Sequence, residues 1–538
     1  MLTRQTAAVV GAGPCGLSML KTLTEDGFDV TCFERRTQVG GLWAYTEDSS
    51  MTTALSSAYA LVSKYTCGMS DYPMPEKYPH HLSQPQFQEY LEEYARHFNV
   101  LQKVVFGAIF QQAIRTKDDK RWRLEMRING EPHHQDFDKV AFCHGYQTTA
   151  EMPVYEGSDK FGGILMHSQQ YRSVEPFKDK NLVIVGLSSS ASELTSLLLP
   201  HVKSLRLSHR RGAYIIPIWR NNTPADLQAT YRRREIGRWL GHYFPRVARW
   251  ALDAGLKWYM KKAWGHLDPE WRILPAPSAA ISLPGASDVI IPLLRQGKVE
   301  SIQGIRRFIA PKTIELSDGS ILEDIDAVIC ATGYSANISV ASSFLTHRQP
   351  PGYDGPPLAN LYMNIFPPDY ADSMAILCYC SYCKTNGFSS NDVMSLAVSN
   401  VFRGTHRLPT KPDMIKEIHQ HHDWLVSVYT EDKTQGSFDP NMVQGWRFNS
   451  QIHDAAGTGL EALGWGLKGW KFWWKDPEMY KIMHSGIETA HAYRFFETGK
   501  RKTWSGARDA IIKINEEAKC FPLKDEEKER YVAVRGPA

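Results

Sequence analysis

The sequence predicts an α/β fold with two doubly wound, mainly parallel sheets, and three observations lead to that prediction. The chain has 538 residues, more than one compact core usually holds, so two or three domains are expected. Residues 7–23 form an apolar run, a turn of small residues and a helix-like pattern. Residues 181–199 repeat that succession. Strand, turn and helix in this order are the building unit of a parallel sheet.

The first turn carries three glycines in the spacing G-x-G-x-x-G. Gly11 permits the tight turn, Gly13 lets the backbone approach a pyrophosphate, and Gly16 lets the helix pack closely on the strand. The next predicted strand ends in Glu34, 18 residues after Gly16, where an acid binds ribose hydroxyls that lack a 2′-phosphate. The turn is therefore predicted to bind FAD or NAD. Three residues of the next turn are expected to line the same cofactor: Gly41, Leu42 and Trp43.

The second turn is built from different small residues. Its strand pair ends without an acid and is followed by two arginines, which suit a 2′-phosphate and so NADPH. The alternative is a buried helix start that its own serines cap. FAD in the first turn and NADPH in the second would explain why the unit occurs twice. The candidate contacts of the second unit are Gly186, Ser188, Ser190, Ala191, Arg210 and Arg211.

Between the two units, Phe161, Gly163, His167 and Tyr171 fit the pattern F-x-G-x-x-x-H-x-x-x-[YF]. Together with the two turns, this pattern resembles the signature of the flavin-containing monooxygenases, class B flavoprotein monooxygenases that use FAD and NADPH. The related Baeyer–Villiger enzymes of the main class carry Trp where Tyr171 stands. The resemblance implies that His167, one of three candidate catalytic residues, helps to dock NADPH.

Further segments extend the resemblance from residue 7 to about residue 520. Thr332, Gly333 and Tyr334 belong to an A-T-G-Y element like the one that leads the family's chain back to the FAD domain, and they are further cofactor candidates. By resemblance, both domains are Rossmann-like, and the NADPH domain is inserted in the FAD domain. The implied boundaries are 1–160 and 325–538 for the FAD domain, and 165–324 for the NADPH domain, with a helical insert at about 220–285.

The resemblance also implies an activity. Reduced flavin and O2 would form a C4a-(hydro)peroxyflavin that transfers one oxygen atom to a nitrogen or sulfur centre of a small organic substrate, as in N,N-dimethylaniline monooxygenases. One alternative is Baeyer–Villiger oxidation of ketones by the same intermediate. An alternative of another class is an NADPH oxidase or a flavin disulfide reductase.

One departure from the family concerns an asparagine that is thought to steady the peroxide. Ser63 and Lys64 stand near its expected place and complete the catalytic candidates. A lysine ammonium beside the flavin would donate a hydrogen bond to an anionic peroxide. The alternative for Lys64 is a side chain that points to solvent.

Composition narrows the remaining classes. A net charge of +4 gives no electrostatic case for nucleic acid. Nine scattered cysteines suggest reduced thiols, and no signal peptide or membrane-spanning run is expected, so a cytoplasmic location is predicted. Cys380 and Cys383 form a C-x-x-C beside Cys378, but no second ligand pair follows, so no metal site is predicted.

Two stretches combine aromatic and basic residues, at 230–265 and around 465–474. Such helices lie on a membrane surface or shape a tunnel for an apolar substrate. The favoured alternative is that they pack together as a domain contact or as the interface of a homodimer, since aromatic stripes usually belong to a core.

Overall fold

The computed structural model describes residues 4–377, 387–431 and 438–527, and its framework is two five-stranded parallel sheets. The strands are short apolar runs, largely buried on both faces because helices cover the sheets. In spatial order, the first sheet contains Met374–Ile376, Lys139–Phe142, Thr6–Val10, Asp29–Glu34 and Val104–Phe106. The second contains Glu300–Gln303, Ser204–His209, Asn181–Val185, Ala327–Cys330 and Ile164–His167. The predicted α/β fold with two dinucleotide-binding sheets is confirmed.

The strand register brings the carboxyl ends of the central strands together. Val10 lies opposite Phe33 and Phe142 in the first sheet, and Val185 lies opposite Ser208 in the second. The segments that follow these strands therefore meet at one edge of each sheet, where open α/β sheets bind ligands.

Each parallel sheet carries a three-stranded antiparallel sheet beside it. The first consists of Ala108–Arg115, Trp122–Ile128 and Glu131–Phe137, and the second of Ile305–Ala310, Thr313–Leu316 and Ile321–Leu322. Four strand pairs in the described residues form separate two-stranded sheets: Ile215–Ile216 with Gly285–Ala286, Trp219–Arg220 with Thr223–Pro224, His347–Arg348 with Leu358–Ala359, and Thr149–Ala150 with Tyr334–Ser335.

The last of these pairs is the seam between the two halves of the molecule. Thr149–Ala150 leads out of the first sheet, Tyr334–Ser335 leads back, and the two segments pair antiparallel. The strand Ala327–Cys330 still belongs to the second sheet, although residues from 325 onward were expected in the FAD domain. The return crossing thus lies after Cys330.

The described residues contain twelve α-helices. They are Pro14–Glu25, Gln84–His97, Ser189–Leu198, Tyr231–Tyr243, Pro245–Trp264, Ile290–Arg295, Gly387–Phe402, Lys411–Thr430, Gly445–Ala456, Leu467–Lys475, Pro477–Ser485 and Ala507–Glu517. Local chemistry sets several of their starts: Ser83 and Gln86 form a capping box, and the Thr410 side chain accepts from the amide of Asp413. Within the described ranges, no helix has both the length and the apolar character that a membrane span requires.

A buried ion network fastens the C-terminal segment to the first helix. Arg494 is 2% exposed and pairs with Glu25 at 2.9 Å and with Asp71 at 3.3 Å. Burial raises the pKa of Glu25, but Arg494 and Lys21 outweigh burial and lower that pKa to about 2. The network holds the helix whose N-terminus faces the first glycine turn.

Candidate functional site

A cavity of about 1780 Å³ begins at the first glycine turn. Its size exceeds that of an ordinary small-ligand pocket and suits a dinucleotide with a substrate beside it. The predicted residues that line the cavity are Gly11, Gly13, Glu34, Gly41, Leu42 and Trp43. The loop that follows the strand Lys139–Phe142 adds a second wall, from Cys143 to Thr149.

The first turn accepts only glycine at two of its three predicted positions, Gly11 and Gly16. Gly11 has φ +100°, and a Cβ there would lie 2.8 Å from the carbonyl oxygen of Cys143. A Cβ on Gly16 would lie 1.7 Å from the carbonyl oxygen of Gly11. Gly41 has φ +58°, and its Cβ would lie 2.9 Å from the Cα of Gly13. Backbone thus lies bare at the start of the helix Pro14–Glu25, where amide groups and the helix dipole favour a pyrophosphate.

Glu34 sits at the mouth of this turn and is 5% exposed. One carboxylate oxygen accepts from the amide of Ala12 at 2.7 Å, and the other accepts from the amide of Arg36 at 2.8 Å. A carboxylate has about four acceptor positions, so each oxygen retains one for a ribose hydroxyl. The residues present therefore fit the adenosine half of FAD.

Arg36 is a site residue that the sequence analysis missed. Its buried guanidinium donates to the carbonyl of Ala44 at 2.5 Å and to that of Thr52 at 2.6 Å. These bonds fix the segment that contains Gly41, Leu42 and Trp43. The sequence contained one signal for this role, a second consecutive arginine after Glu34. A buried guanidinium requires several acceptors, so such an arginine is expected to bind nearby carbonyl groups.

The second turn has the predicted geometry at its glycine. Gly186 has φ +127°, and a Cβ there would lie 2.5 Å from the carbonyl oxygen of Ala331. Ser188 occupies the N-cap position of the helix Ser189–Leu198, but its side chain makes no capping hydrogen bond. The alternative of a helix start capped by its own serine is therefore wrong for Ser188. Ser190 and Ala191 follow in the first turn of that helix.

The two predicted phosphate-binding arginines follow the strand Ser204–His209. Arg210 is exposed. Its side chain passes close to Gly304, where an added Cβ would lie 2.5 Å from the Cγ of Arg210. Arg211 accepts at its carbonyl from His209 at 2.8 Å. Neither arginine lines the large cavity, which reaches the second domain instead at Ile216 and along residues 279–284.

His167 lies at the seam between the sheets. Its Nδ1 accepts from the amide of Gln169 at 3.1 Å, so the neutral ring carries its proton on Nε2. Burial lowers the pKa of His167, and the nearby carbonyl of Gly333 partly opposes that effect. The ring packs edge-on against Tyr334, with centroids 5.1 Å apart. His167 does not line the cavity. The structure thus joins two predicted motifs at one contact.

The A-T-G-Y element forms the return side of the same seam. The Thr332 hydroxyl donates to the carbonyl of Glu151 at 2.6 Å. Gly333 has φ +93° with open space around its Cα. Tyr334 pairs with Ala150. These contacts link the two crossings of the chain, and among the described residues none of the three lines the cavity.

The structure does not bring Ser63 or Lys64 to the cavity. The Lys64 ammonium donates to the carbonyls of Glu76 and Tyr78 at 3.2 and 3.1 Å and lies 3.7 Å from Glu517. The expectation that Lys64 points to solvent is wrong, because it is 8% exposed. The neighbouring Val62 lines the cavity instead.

Ser63 is held from the other domain. One carboxylate oxygen of Asp226 accepts from the amide of Ser63 at 3.0 Å, from its hydroxyl at 2.7 Å and from the hydroxyl of Thr66 at 2.5 Å. Asp226 belongs to the helical insert, 163 residues away. Sequence spacing carried no signal for this contact.

The outer walls of the cavity are formed by elements distant in sequence. The helices Tyr231–Tyr243 and Pro245–Trp264 contribute Leu240, Ala248 and Leu252, and the start of Gly387–Phe402 contributes Phe388. Further lining residues come from 424–446. The lining is mainly apolar, which excludes water from the space beside the first glycine turn.

The cysteine motif cannot be placed, because Cys378, Cys380 and Cys383 lie outside the described residues. Six cysteines within the described ranges are free thiols. Those ranges contain no group of three or more histidine, cysteine, aspartate or glutamate side chains that could hold a metal ion.

Comparison with known proteins identifies relatives along nearly the whole chain. The model of the flavin-binding monooxygenase-like family matches residues 4–530. Monooxygenase aurF of Gibberella zeae is 33% identical over 531 residues, which cover 96% of this chain and 99% of aurF. Flavin-containing monooxygenase 5 of Homo sapiens is 27% identical over 526 residues, covering 95% of this chain and 92% of the human protein.

Solved structures share the fold at lower identity. S-allyl-L-cysteine S-oxygenase from Allium sativum superposes with a TM-score of 0.62 at 18% identity, covering 96% of this chain and 99% of that one. Cyclohexanone monooxygenase from Rhodococcus sp. Phi1 bound to NADP+ gives 0.58 at 17% identity, with coverages of 84% and 98%.

Proposed function

This chain belongs to the flavin-binding monooxygenase-like family and uses FAD and NADPH, and from that premise we propose that it oxygenates nitrogen or sulfur in a small organic molecule. The observation that carries the proposal is a continuous cavity that runs from the first glycine turn into an apolar space. Relatives named dimethylaniline monooxygenase [N-oxide-forming] support nitrogen as a target. Tyr171, in place of the Trp of the Baeyer–Villiger enzymes, supports the same choice.

The chemistry that FAD would supply in this site is hydride acceptance and O2 activation, while the chain's own residues bind the cofactors, orient them and exclude water. Gly11 and Gly13 expose the backbone to the pyrophosphate, and Glu34 offers acceptors to the ribose. Arg36 fixes the segment opposite. Apolar residues of the insert helices, such as Leu240 and Ala248, line the substrate side and limit the water that meets a reactive oxygen species there.

We assign His167 a positioning role at the seam. Burial lowers the pKa of the imidazole and so favours its neutral form. Nδ1 accepts from the amide of Gln169, whereas Nε2 has no hydrogen-bond partner among the described residues. The ring therefore orients Tyr334 and the return crossing. A proton transfer to substrate would require contact with the cavity, which His167 lacks.

We assign Ser63 and Lys64 the same kind of role. Asp226 holds Ser63, and two carbonyls hold Lys64. Together they fix the strip that presents Val62 to the cavity. The apolar side chain of Val62 excludes water at the place where the family's asparagine would contribute a polar group.

The test supplies purified FAD-loaded protein with NADPH, ¹⁸O2 and one probe at a time: N,N-dimethylaniline, thioanisole or cyclohexanone. We expect ¹⁸O in the N-oxide or the sulfoxide, with NADPH consumption above the rate without probe. Caprolactone as the labelled product would favour Baeyer–Villiger chemistry. Hydrogen peroxide equal to NADPH consumed with every probe would overturn the proposal in favour of an oxidase.

A further inference from the structure

The loop after the strand Ser204–His209 is joined to a segment that lies far along the chain. The amide of Ala213 donates to the carbonyl of Ile273 at 3.0 Å. Gly212 approaches the same carbonyl so closely that an added Cβ would clash with its oxygen. Arg272 immediately precedes Ile273. Arg272 therefore lies beside the loop that carries the two predicted phosphate-binding arginines.

A chain of polar contacts makes a second link between the loop and this segment. His209 Nδ1 lies 2.8 Å from the carbonyl oxygen of Arg211, and its Nε2 lies 2.9 Å from the hydroxyl oxygen of Ser301. That hydroxyl also lies 2.8 Å from the carbonyl oxygen of Trp271. Since His209 is buried, these contacts are shielded from water and hold the two segments in a fixed relation.

The protein itself uses only part of the Arg272 guanidinium. Its Nη2 donates to the carbonyl of Ser301 at 3.2 Å, and its Nε is buried without an acceptor in the described part of the chain. Among the described residues, no carboxylate forms an ion pair with Arg272. Asp318 is near enough for Arg272 to help lower its pKa, but hydrogen bonds from Ser320 are the larger cause. Since a guanidinium has five N–H groups, Arg272 retains both charge and donors for an anion.

The backbone at Arg272 has a conformation that arginine rarely adopts. Its φ is +51°, in the left-handed region that favours glycine, asparagine and aspartate. Among the described residues, every other non-glycine position with positive φ holds asparagine or aspartate, apart from Met363. Such costly backbone conformations cluster where a functional side chain is placed. Asparagine would form the same turn more easily, so the turn alone does not account for the arginine.

Arg210 and Arg272 come from separate segments but lie along the same strand, Glu300–Gln303. The exposed side chain of Arg210 passes close to Gly304, the residue that follows this strand. The guanidinium of Arg272 binds the strand at the carbonyl of Ser301. Cationic side chains of two segments therefore lie near each other beside the carboxyl end of one strand, where parallel sheets bind ligands.

We propose that Arg272 binds the 2′-phosphate of NADPH together with Arg210 and Arg211. A phosphate monoester carries close to two negative charges near neutral pH and has three terminal oxygens, so it accepts charge-assisted hydrogen bonds from several guanidinium groups at once. Arg272 would set cofactor specificity, because NADH has no charged group at this position. The inference rests on the assignment of the second turn to NADPH and not on the substrate that is oxygenated.

The experiment is calorimetric titration of the FAD-loaded protein with adenosine 2′,5′-bisphosphate and with AMP, which lacks the 2′-phosphate. We expect wild type to bind the bisphosphate more tightly than AMP. Arg272→Asn should weaken binding of the bisphosphate at least about tenfold, because charge-assisted hydrogen bonds to phosphate are lost, and should leave the affinity for AMP unchanged. The matched control is Lys298→Asn, which removes an exposed charge just before the strand Glu300–Gln303 and should bind both probes as wild type does.

Arg272→Asn also separates binding from folding. Asparagine suits the left-handed backbone at this position, so the unfolding midpoint of the variant should equal or exceed that of wild type, and flavin absorbance should be retained. Arg272→Lys keeps the charge but not the planar fork of donors, so its affinity for the bisphosphate should lie between those of wild type and Arg272→Asn.

The proposal is overturned if Arg272→Asn keeps the wild-type affinity for the bisphosphate while the double variant Arg210→Ala, Arg211→Ala loses it, because two arginines would then suffice. Equal weakening of bisphosphate and AMP binding in Arg272→Asn would show a structural role and would also overturn it. If wild type binds the bisphosphate no more tightly than AMP, the assignment of the whole second turn to a 2′-phosphate is wrong. These titrations involve no oxygenation, so a failure of the proposed function is seen separately, in the labelling experiment with ¹⁸O2.

Discussion

Glu193 allows a quantitative test of the second domain, because burial alone raises its pKa to about 7 from the usual 4.5. It lies in the helix Ser189–Leu198, and among the described residues no group hydrogen-bonds to its Oε1. The folded state therefore holds the proton more tightly than the unfolded state. The contribution of Glu193 to the free energy of unfolding is therefore complete at low pH. It is lost as pH rises from the unfolded pKa through the folded pKa, and the total loss is about 3 kcal/mol.

Glu193→Gln removes this titration while keeping the shape of the side chain. Since Gln is neutral at every pH, the variant should gain about 2 kcal/mol over wild type between about pH 5.5 and 8.5. For a chain of 538 residues that unfolds as one unit, that gain corresponds to about 2 °C in the midpoint of thermal unfolding. Glu270→Gln, at an exposed position, serves as control. The reasoning is refuted if the difference in unfolding midpoint between wild type and Glu193→Gln stays constant across this pH range.

Two further predictions concern the cofactor turns. The double variant Arg210→Ala, Arg211→Ala should raise the Michaelis constant for NADPH and lower the enzyme's preference for NADPH over NADH, because the 2′-phosphate of NADPH loses its cationic partners. Steady-state rates of NADPH and NADH oxidation measure this preference. If the ratio of the two rates is unchanged in the variant, the assignment of the two arginines to the 2′-phosphate is wrong. Gly11→Ala should abolish FAD retention, seen as loss of the yellow colour, since its Cβ meets Cys143 at 2.8 Å. Gly27→Ala, with φ +95° but open space, should keep the flavin, so equal loss in both would implicate backbone strain alone.

The sequence was sufficient to predict both sheets and the backbone geometry of the first glycine turn. At Gly11, Gly16 and Gly186, local backbone geometry admits only glycine, and such local requirements leave a spacing in the sequence. The strand Ala327–Cys330 shows the limit of this inference. The sequence of a buried apolar strand does not show which of two parallel sheets the strand belongs to. The return crossing was therefore predicted a few residues too early.

The aromatic stretches show why periodicity alone does not assign a surface. Pro245–Trp264 has apolar residues on a core side, a cavity side and an exposed side. All three have helical spacing, and only tertiary contacts distinguish them. Packing of these stretches as a domain contact within the chain was wrong for Trp250 and Trp474, which remain exposed in the folded chain. Their packing as the interface of a homodimer stays a prediction.

Lys64 illustrates the same limit for a polar residue. Its place in the sequence, near the expected asparagine, suggested either a flavin contact or a solvated side chain. A buried ammonium must find acceptors to offset its desolvation, and a sequence does not show which acceptors the fold brings within reach. Here the carbonyls of Glu76 and Tyr78 supply them, 12 and 14 residues away. Because these bonds direct the ammonium away from the cavity, the adjacent Val62 and not Lys64 lines it.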